Sequence, residues 1–304
     1  MIDDFTDVQY KIFFFPQMCQ GRSACVLKTH HCFTDGLGLS TLFLAFSGEY
    51  DAKALPSLKP LPCFKQFILD LFSPLILIYY LVKVGGLDSK PNSIKNGVTA
   101  SGIKRGGYRY DFNITDMKQY CKANKVSIND HTAALLSQTM HDYYKEKGED
   151  GKVPSSINIG VPYSMRQPVK EIKKVRMDND FASLPISIDI HEKYDEALSH
   201  TKKLFNALKS SLMPFGGTYA TVFQNSLPFN FSKYIMADSS SKFTLIYSNL
   251  NASKIIYYWD GKKLLGQFFF VPGCSKITVG IGLCTTGDIM SMTCFSDIAQ
   301  VEDP

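Results

Sequence analysis

The chain has 304 residues, enough for one large domain or two modest ones that bury a core and an enclosed pocket. Apolar residues make up 45% and charged residues 20%, an ordinary globular balance that needs no metal or disulfide to complete the fold. The net charge of +5 is spread along the chain, and its densest basic segment, residues 170–176, is interrupted by Glu171 and by apolar residues. This pattern argues against a nucleic-acid-binding protein, and it favours either anionic ligands such as phosphates or plain solvated surface charge.

The cysteines and the N-terminus indicate the compartment. Eight cysteines are present without a Cys-x-x-Cys pair, and several lie within apolar alternation, so we expect reduced, buried, intracellular thiols. The N-terminal segment MIDDFTDVQY is acidic and lacks the apolar core of a signal peptide. Secretion is therefore not expected.

The first predicted elements are a β-hairpin and a helix. Two β-favouring runs, residues 9–15 and 23–29, are separated by a turn-favouring segment that contains proline and glycine, which predicts a hairpin. Apolar residues at helical spacing then predict a helix over residues 37–46. The segment HHCFTDG, residues 30–36, connects the two elements.

A strongly apolar segment lies between two linkers, at 56–62 and 88–102, that are rich in turn-forming residues. Its core, residues 67–84, is interrupted by Asp70 and Pro74, which leaves too few consecutive apolar residues for a comfortable bilayer span. Three interpretations stay open: an interfacial membrane or substrate-entry helix, a buried core helix, and a true span.

The remainder of the chain predicts a mixture of strands and helices. Strands are predicted at 106–111, 156–162 and 182–190, and helices at 114–124, 128–147 and 194–212. Asn113 is placed to begin the first of these helices, and Ser127 with Asp130 supplies helix-start chemistry for the second. Five strand-length runs follow residue 242 and are divided by turn signals, which predicts a β-meander.

His30 and His31 offer two kinds of chemistry. Successive side chains of a strand point to opposite faces, so these two do not readily bind one metal ion, and no further ligands follow at a zinc spacing. A single imidazole at a strand end can instead act as a general base for a hydroxyl or thiol. Asp35, next to Gly36, then fits an anchor that pairs with an arginine, a direct partner of the imidazole, or the N-cap of the next helix.

The segment HHCFTDG resembles the HHxxxDG motif of the CoA-dependent acyltransferase superfamily, which includes chloramphenicol acetyltransferase, carnitine acyltransferases and peptide-synthesis condensation domains. Further segments resemble the wax ester synthase/diacylglycerol acyltransferase family: GRSACVLKTHHCFTDGLG (21–38), VSINDHTAALLSQTM (126–140), INIGVPYSMR (157–166), NDFASLPISI (179–188) and YSNLNAS (247–253). The matches run almost end to end. One departure is Leu250-Asn251-Ala252, where the family's Ser-Asn segment usually continues into Pro-Gly.

The resemblance implies a two-lobed α/β architecture of the chloramphenicol acetyltransferase type, with ligands meeting between the lobes. Relatives carry further strands and helices ahead of the histidines, whereas 29 residues precede them here, so we expect a truncated N-terminal lobe. Residues 1–61 would be the remnant of that lobe with the motif, residues 62–100 a linker with the apolar segment, and residues 101–304 the C-terminal lobe.

The resemblance also implies the reaction and its residues. His31 would be the general base that takes the proton of an alcohol or diacylglycerol hydroxyl as it attacks the thioester of a fatty acyl-CoA. Asp35 would anchor the loop, with Arg166 as its candidate partner because of the order of the motifs, while His30 and Gly36 support the turn. No metal and no cofactor is expected, since acyl-CoA is a co-substrate.

Three other residues are assigned less sharply. Asn129 and Asp130 either hold a helix start or touch substrate, and Asn249 either lines a substrate tunnel or ends a strand.

The expected partners are fatty acyl-CoA, a diacylglycerol or long-chain alcohol, and a membrane surface, without nucleic acid. The expected location is intracellular, at the endoplasmic reticulum, a lipid droplet or the plasma membrane. Two other functions stay open: a non-catalytic relative that binds acyl-CoA or lipid, and a condensation-type domain that uses carrier-protein thioesters.

Overall fold

The computed structural model describes residues 8–18, 21–48, 50–57, 60–95, 97–147, 152–164 and 166–304. Most of the acidic N-terminal segment, residues 1–7, and the thiol of Cys19 therefore lie outside the described residues. The described chain is built around one six-stranded sheet with helices, which confirms the predicted α/β class.

The N-terminal hairpin forms a small sheet of its own. Strand β1 (Tyr10–Met18) pairs antiparallel with β2 (Arg22–Thr29), as predicted, with a register shift after Phe15. Its apolar side chains are largely exposed: Tyr10, Ile12, Phe13, Phe14, Phe15, Met18 and Val26. The hairpin therefore adds little to the buried core.

Helix α1 (Gly36–Phe46) begins directly after the histidine turn and joins the N-terminal part to the rest of the molecule. It lies against the strand β6 (Leu245–Ser253). A small buried cluster at this contact contains Leu44, Ala54, Leu55 and Tyr257. These contacts fix where the histidine turn stands relative to the main sheet.

The apolar segment forms two helices, α2 (Cys63–Leu71) and α3 (Ser73–Gly85), which bend by 67° at the break ahead of Pro74. Ile76 is buried, and α3 packs on a later helix, but most of the large apolar side chains of the pair are exposed. Among the described residues no single helix is long and apolar enough to cross a membrane, although the bent pair passes by length and composition.

The six-stranded sheet has the order β3-β10-β9-β6-β4-β5. Its strands are β3 (Lys104–Asn113), β4 (Ser156–Ser164), β5 (Phe181–Asp189), β6 (Leu245–Ser253), β9 (Gly280–Thr286) and β10 (Ile289–Asp297), and two short strands, β7 (Tyr258–Trp259) and β8 (Lys262–Lys263), pair with each other. Central strand β6 runs parallel to both of its neighbours, and the other pairs are antiparallel.

Five further helices accompany the sheet: α4 (Ile114–Ala123), α5 (Ile128–Lys147), α6 (Tyr194–Ser210), α7 (Met213–Ser226) and α8 (Phe229–Ser240). The side chain of Asn113 caps α4 by accepting from the Thr115 N–H at 2.8 Å, as expected from the sequence. Helices α5 and α6 pack together over the main core. Helices α7 and α8 were not predicted.

The predicted β-meander is wrong. Of the described strands that form after residue 242, only β9 and β10 are consecutive in the chain and also adjacent in the six-stranded sheet, and residues 264–271 are not a strand. The carbonyls of that segment accept instead from side chains of β10, because Ser291 Oγ donates to Gln267 O (2.6 Å) and Thr293 Oγ1 donates to Phe269 O (2.7 Å). Hydrogen bonds from side-chain hydroxyls thus hold this apolar segment along the sheet, in place of the backbone hydrogen bonds that would pair a strand.

The cysteines depart in part from expectation. Cys121 and Cys284 are buried, but Cys25, Cys32 and Cys63 are exposed. Burial therefore holds for only some of the thiols in the described chain.

Candidate functional site

The histidine turn begins just past the end of β2. Nδ1 of His30 accepts a hydrogen bond from the Cys32 backbone N–H at 3.1 Å, so this ring stabilises the turn itself. The imidazole of His31 is exposed, and its ring centroid lies 5.6 Å from that of Phe181 at the start of β5. The two adjacent histidines therefore have different surroundings.

Asp35 is buried and uses its two carboxylate oxygens differently. Oδ1 accepts from the Gly38 N–H at 2.8 Å and so caps α1. Oδ2 accepts from Arg166 Nη2 and from the Asp180 N–H, each at 2.8 Å. The pairing with Arg166 that the motif order predicted is present, and the anchor and N-cap interpretations both hold. Among the described contacts, Asp35 makes no hydrogen bond to His31.

Arg166 holds two aspartates at once. Besides Asp35, its guanidinium donates to the Asp178 backbone carbonyl at 2.5 Å and to Asp178 Oδ1 at 3.0 Å. Burial opposes its charge, but the hydrogen bonds and charges of the two aspartates outweigh that effect and raise the pKa of Arg166. Burial likewise opposes the charge of Asp178, while hydrogen bonds from Arg166 and Arg176 hold the pKa of its carboxyl below the usual value. Arg166 and Asp178 therefore stay ionised near neutral pH.

Two contacts of the turn were missed by sequence reasoning. Asn179 Nδ2 donates to the His31 backbone carbonyl at 2.8 Å, and Thr34 Oγ1 donates to the Asp178 carbonyl at 3.1 Å. The signal available in the sequence was the polar run just ahead of β5, in which Asn179 stands. His31 and Thr34, as well as Asp35, thus connect the turn to the segment that precedes β5.

Two glycines allow close packing around the turn. A Cβ on Gly38 would lie 1.9 Å from Thr34 Oγ1, so any larger residue would displace the turn. A Cβ on Gly36 would lie 3.2 Å from the Leu250 side chain of β6. Gly36 thereby lets the first turn of α1 lie against the central sheet.

The remaining predicted residues form a second polar group near β6. Ser127 and Asp130 exchange hydrogen bonds across the start of α5, with Asp130 Oδ2 accepting from the Ser127 N–H at 2.8 Å, and Asp130 is 3% exposed. Asn249 Nδ2 donates to Asn129 Oδ1 at 2.6 Å. Asn249 adjoins Leu250, which contacts the start of α1, so β6 connects this group to the histidine turn.

A cavity of about 230 Å³ lies beside the Asp35–Arg166 pair, between α1 and the segment that leads to β5. Its walls include Leu37, Thr41, Leu55, Arg166, Val175 and Arg176. The lining thus combines apolar side chains with Arg166, Arg176 and Asp180, and both arginines already pair with Asp178.

Solved structures with the same fold include an acyltransferase and domains of synthetases. The chain superimposes on a wax ester synthase/diacylglycerol acyltransferase from Marinobacter aquaeolei VT8 with a TM-score of 0.58 and 15% identity, covering 96% of this chain and 66% of that one. It also matches the EpoB cyclization-docking bidomain from Sorangium cellulosum, with a TM-score of 0.57, 10% identity and coverages of 95% and 57%.

The starter condensation domain of rhizomide synthetase, in complex with C8-CoA and Leu-SNAC, matches with a TM-score of 0.53 and 9% identity, covering 96% of this chain and 64% of that one. The chain therefore spans between 57% and 66% of the length of these three structures. Identities this low show the fold alone.

Sequence comparison adds a family match for part of the chain. The chain has no significant match among the curated protein sequences. Residues 178–304 match the family model described as the WS/DGAT C-terminal domain. Residues 178–304 are thus similar to the C-terminal domain of the wax ester synthase/diacylglycerol acyltransferase family, and the described chain has the fold that these solved structures share.

Proposed function

We propose that the chain is an acyl-CoA-dependent O-acyltransferase, which moves a fatty acyl group to the hydroxyl of a diacylglycerol or long-chain alcohol and forms triacylglycerol or wax ester. One observation carries the proposal. The exposed imidazole of His31 stands on a turn whose position is fixed by Asp35, Arg166 and Asn179. A base held in this way can meet a substrate hydroxyl without first having to be ordered.

The proposed reaction needs one proton acceptor. His31 takes the hydroxyl proton as the alcohol oxygen attacks the thioester carbonyl carbon, and a tetrahedral oxyanion forms. The carbon–sulfur bond then breaks, and the imidazolium returns the proton to the sulfur of CoA. Asp35 is a positioning residue in this scheme, because both of its oxygens are engaged by Gly38, Asp180 and Arg166. Neither a covalent acyl-enzyme nor a resident cofactor is required.

The acyl donor would bind along the basic side of the site. Segment 170–176 is exposed apart from Val175, and Arg176 also lines the cavity next to Arg166. Phosphates of CoA suit such a cationic rim. The condensation domain captured with C8-CoA supports an acyl-CoA ligand for this fold, although its identity to this chain is low.

The acceptor would arrive from a membrane surface inside the cell. An almost wholly apolar groove of about 370 Å³ is lined by Ile68, Leu69, Phe72, Leu75, Ile76, Tyr79 and Leu212 of the bent helix pair and its neighbour. Exposed Phe64, Phe67 and Val82 extend the same apolar surface. Such a surface favours contact with lipid acyl chains and the headgroup boundary.

The test is an acyl-transfer assay on the full chain. Labelled palmitoyl-CoA is supplied with hexadecanol or with diacylglycerol in vesicles, and ester formation is followed. His31→Gln is expected to lower the rate by about 10²- to 10⁴-fold, the usual contribution of a general base. His141→Gln is the matched control, because His141 pairs with Asp142 on α5 and takes no part in the turn.

Each other outcome has a distinct meaning. Ester formation that survives His31→Gln contradicts the mechanism. Binding of palmitoyl-CoA without any product indicates a non-catalytic lipid-binding protein. Transfer from a carrier-protein thioester but not from free acyl-CoA indicates condensation-type chemistry, which the structural likeness to condensation domains gives a reason to include.

A further inference from the structure

A cluster of metal-ligating side chains lies at the end of β5 that is remote from the histidine turn. Asp189 is the last residue of β5, His191 follows in the next loop, and His200 lies on α6. Each can offer one ligand atom, and these atoms all lie within 4.8 Å of one another. The length of β5 separates Asp189 from Phe181 by about 26 Å at about 3.3 Å per residue. The cluster is therefore distinct from the His31 site.

Two members of the cluster already touch. His200 Nδ1 lies 3.1 Å from Asp189 Oδ2, and the backbone N–H of Asp189 donates to His200 Nε2 at 3.5 Å. Zinc can bind a nitrogen of this ring only where that nitrogen carries no proton, and the ring then gives up one of these two hydrogen bonds. Taken alone, this pair is an ordinary Asp–His hydrogen bond, so the third residue decides the interpretation.

The ring of His191 is the unexplained part of the cluster. Among the described residues its Nε2 is buried and has no hydrogen-bond partner. Its Nδ1 lies 3.8 Å from Glu196 Oε2, which is beyond hydrogen-bond distance. A buried imidazole nitrogen without a partner raises the free energy of the fold, and binding of a ligand by the ring can offset that penalty.

The backbone beneath the cluster is already fixed. Ser137 of α5 is fully buried, and its Oγ accepts from the His191 N–H at 3.1 Å and donates to the Asp189 carbonyl at 2.7 Å. The ligand-bearing side chains keep access to solvent, with 49% of Asp189, 26% of His191 and 28% of His200 exposed. An ion from solvent can thus reach these three side chains, whose backbone is already held by the hydrogen bonds of Ser137.

We propose that Asp189, His191 and His200 bind a divalent transition-metal ion, and that zinc fits the set best. Two imidazole nitrogens and one carboxylate are zinc ligands, whereas magnesium and calcium select oxygen ligands. Zinc bonds of about 2.0–2.2 Å place tetrahedral ligands about 3.3–3.6 Å apart, so a closure of about 1.3 Å completes the site. A water takes the fourth position.

The bound ion links edge strand β5 to α6. It joins the end of the strand to the second turn of the helix across the intervening loop, residues 190–193. No metal was expected from the sequence, because His30 and His31 have no further ligands at a zinc spacing. An Asp-x-His pair followed by a distant histidine likewise matches no standard zinc spacing. His200 comes close to Asp189 and His191 only because α6 packs against the end of β5 in the folded chain.

The test uses the full chain without an affinity tag, after treatment with a chelator. Zinc is expected to bind with a stoichiometry of one and, at a hundredfold excess over Kd, to raise the Tm by roughly 5 °C. Cobalt is expected to give the intense visible absorption of a tetrahedral site, which zinc then removes. His191→Gln and His200→Gln should each weaken zinc binding by at least about tenfold, while His141→Gln should leave it unchanged.

Two results overturn the proposal: absence of zinc binding by the intact chain, and equal zinc affinity in the intact chain and in folded His191→Gln and His200→Gln. Circular dichroism identifies a variant that fails to fold. Asp189→Asn then replaces it, because Asp189 is the most exposed of the three ligands and its amide keeps an acceptor for His200. Loss of the cobalt spectrum in folded Asp189→Asn supports the site, and retention of the spectrum overturns it.

Discussion

Two buried aspartates, Asp35 and Asp297, connect parts of the chain that are far apart in sequence. Asp35 is 5% exposed and accepts three hydrogen bonds at 2.8 Å, from Gly38, Arg166 and Asp180. Asp297 is fully buried at the end of β10 and accepts five hydrogen bonds of 2.8–3.0 Å, from the N–H groups of Ser101, Gly102 and Ala299, the hydroxyl of Ser101 and the ammonium of Lys104.

The difference between the two lies in what they hold. Asp297 fixes the entry of the chain into edge strand β3, where the reacting groups of the proposed mechanism are absent. Asp35 fixes the turn that presents His31, and it shares its arginine with a second aspartate, Asp178. The same kind of buried carboxylate thus stabilises the sheet in one place and orients a candidate base in the other. Substitution of Asp297 should therefore mainly lower stability, whereas substitution of Asp35 should mainly lower activity.

The largest expected effect on stability is that of Asp297→Ala. The substitution leaves three backbone N–H groups and the Lys104 ammonium without their acceptor, so we expect a loss of about 3–5 kcal/mol in the free energy of unfolding. Urea unfolding measures it. Asp303→Ala is the matched control, because Asp303 is exposed near the same terminus and should change stability by less than about 0.5 kcal/mol.

Asp35→Asn should affect activity more than stability. The amide keeps an acceptor for the Gly38 N–H but loses the charge that pairs with Arg166, so we expect a loss of about 1–3 kcal/mol in unfolding free energy. Acyl transfer should fall at least about tenfold, because the turn that carries His31 is no longer held in one place. Urea unfolding and the palmitoyl-CoA assay measure the two effects.

Asp297→Asn provides the comparison for this substitution. Assayed under conditions in which both variants are folded, it should keep the kcat of the unchanged chain. Equal losses of kcat in the two asparagine variants would show that Asp35 acts only through overall stability.

The sequence predicted the contact between Asp35 and Arg166, but it missed some of the elements around the turn. Residues 30–36 form one turn, so their spacing alone indicates their proximity, and the order of the motifs was enough to pair Asp35 with Arg166. Asn179 was missed because its contact is to a backbone carbonyl, that of His31, and a backbone acceptor leaves no pattern in the sequence. Contacts of this kind emerge only once the chain has folded.

Helix α7 shows why part of the fold was not predictable. Gly216 and Gly217 lie in its interior, where glycine disfavours a helix, so local propensity argues against it. A Cβ on Gly216 would lie 2.6 Å from the Cβ of Tyr80. The glycines therefore permit α7 to pack closely on α3, and tertiary packing outweighs the local preference.

The smallest expected effect concerns acid stability, and it also separates the two regions. Burial opposes the charge of Asp297, but its hydrogen bonds from Ala299, Ser101 and Lys104 outweigh burial and lower the pKa of the carboxyl. The pKa of Asp178 is lowered in the same direction through Arg166. Below the unfolded value of about 3.9, the unfolded chain binds more protons than the folded one, so stability falls as the pH decreases through this range.

The contribution of each carboxyl is complete above about pH 5 and is lost as the pH falls toward the lowered folded pKa. This loss should be smaller than that caused by Asp297→Ala, because a protonated carboxyl keeps one acceptor oxygen. Urea unfolding between pH 6 and pH 3 measures it, and Asp297→Asn and Asp178→Asn should each flatten the dependence. Added salt should weaken the contribution of Asp178, whose side chain is 34% exposed, to the pH dependence of stability. It should leave the contribution of buried Asp297 unchanged. Equal salt sensitivity of the two parts would contradict the distinction between an accessible ionic cluster at the site and an enclosed carboxylate in the sheet.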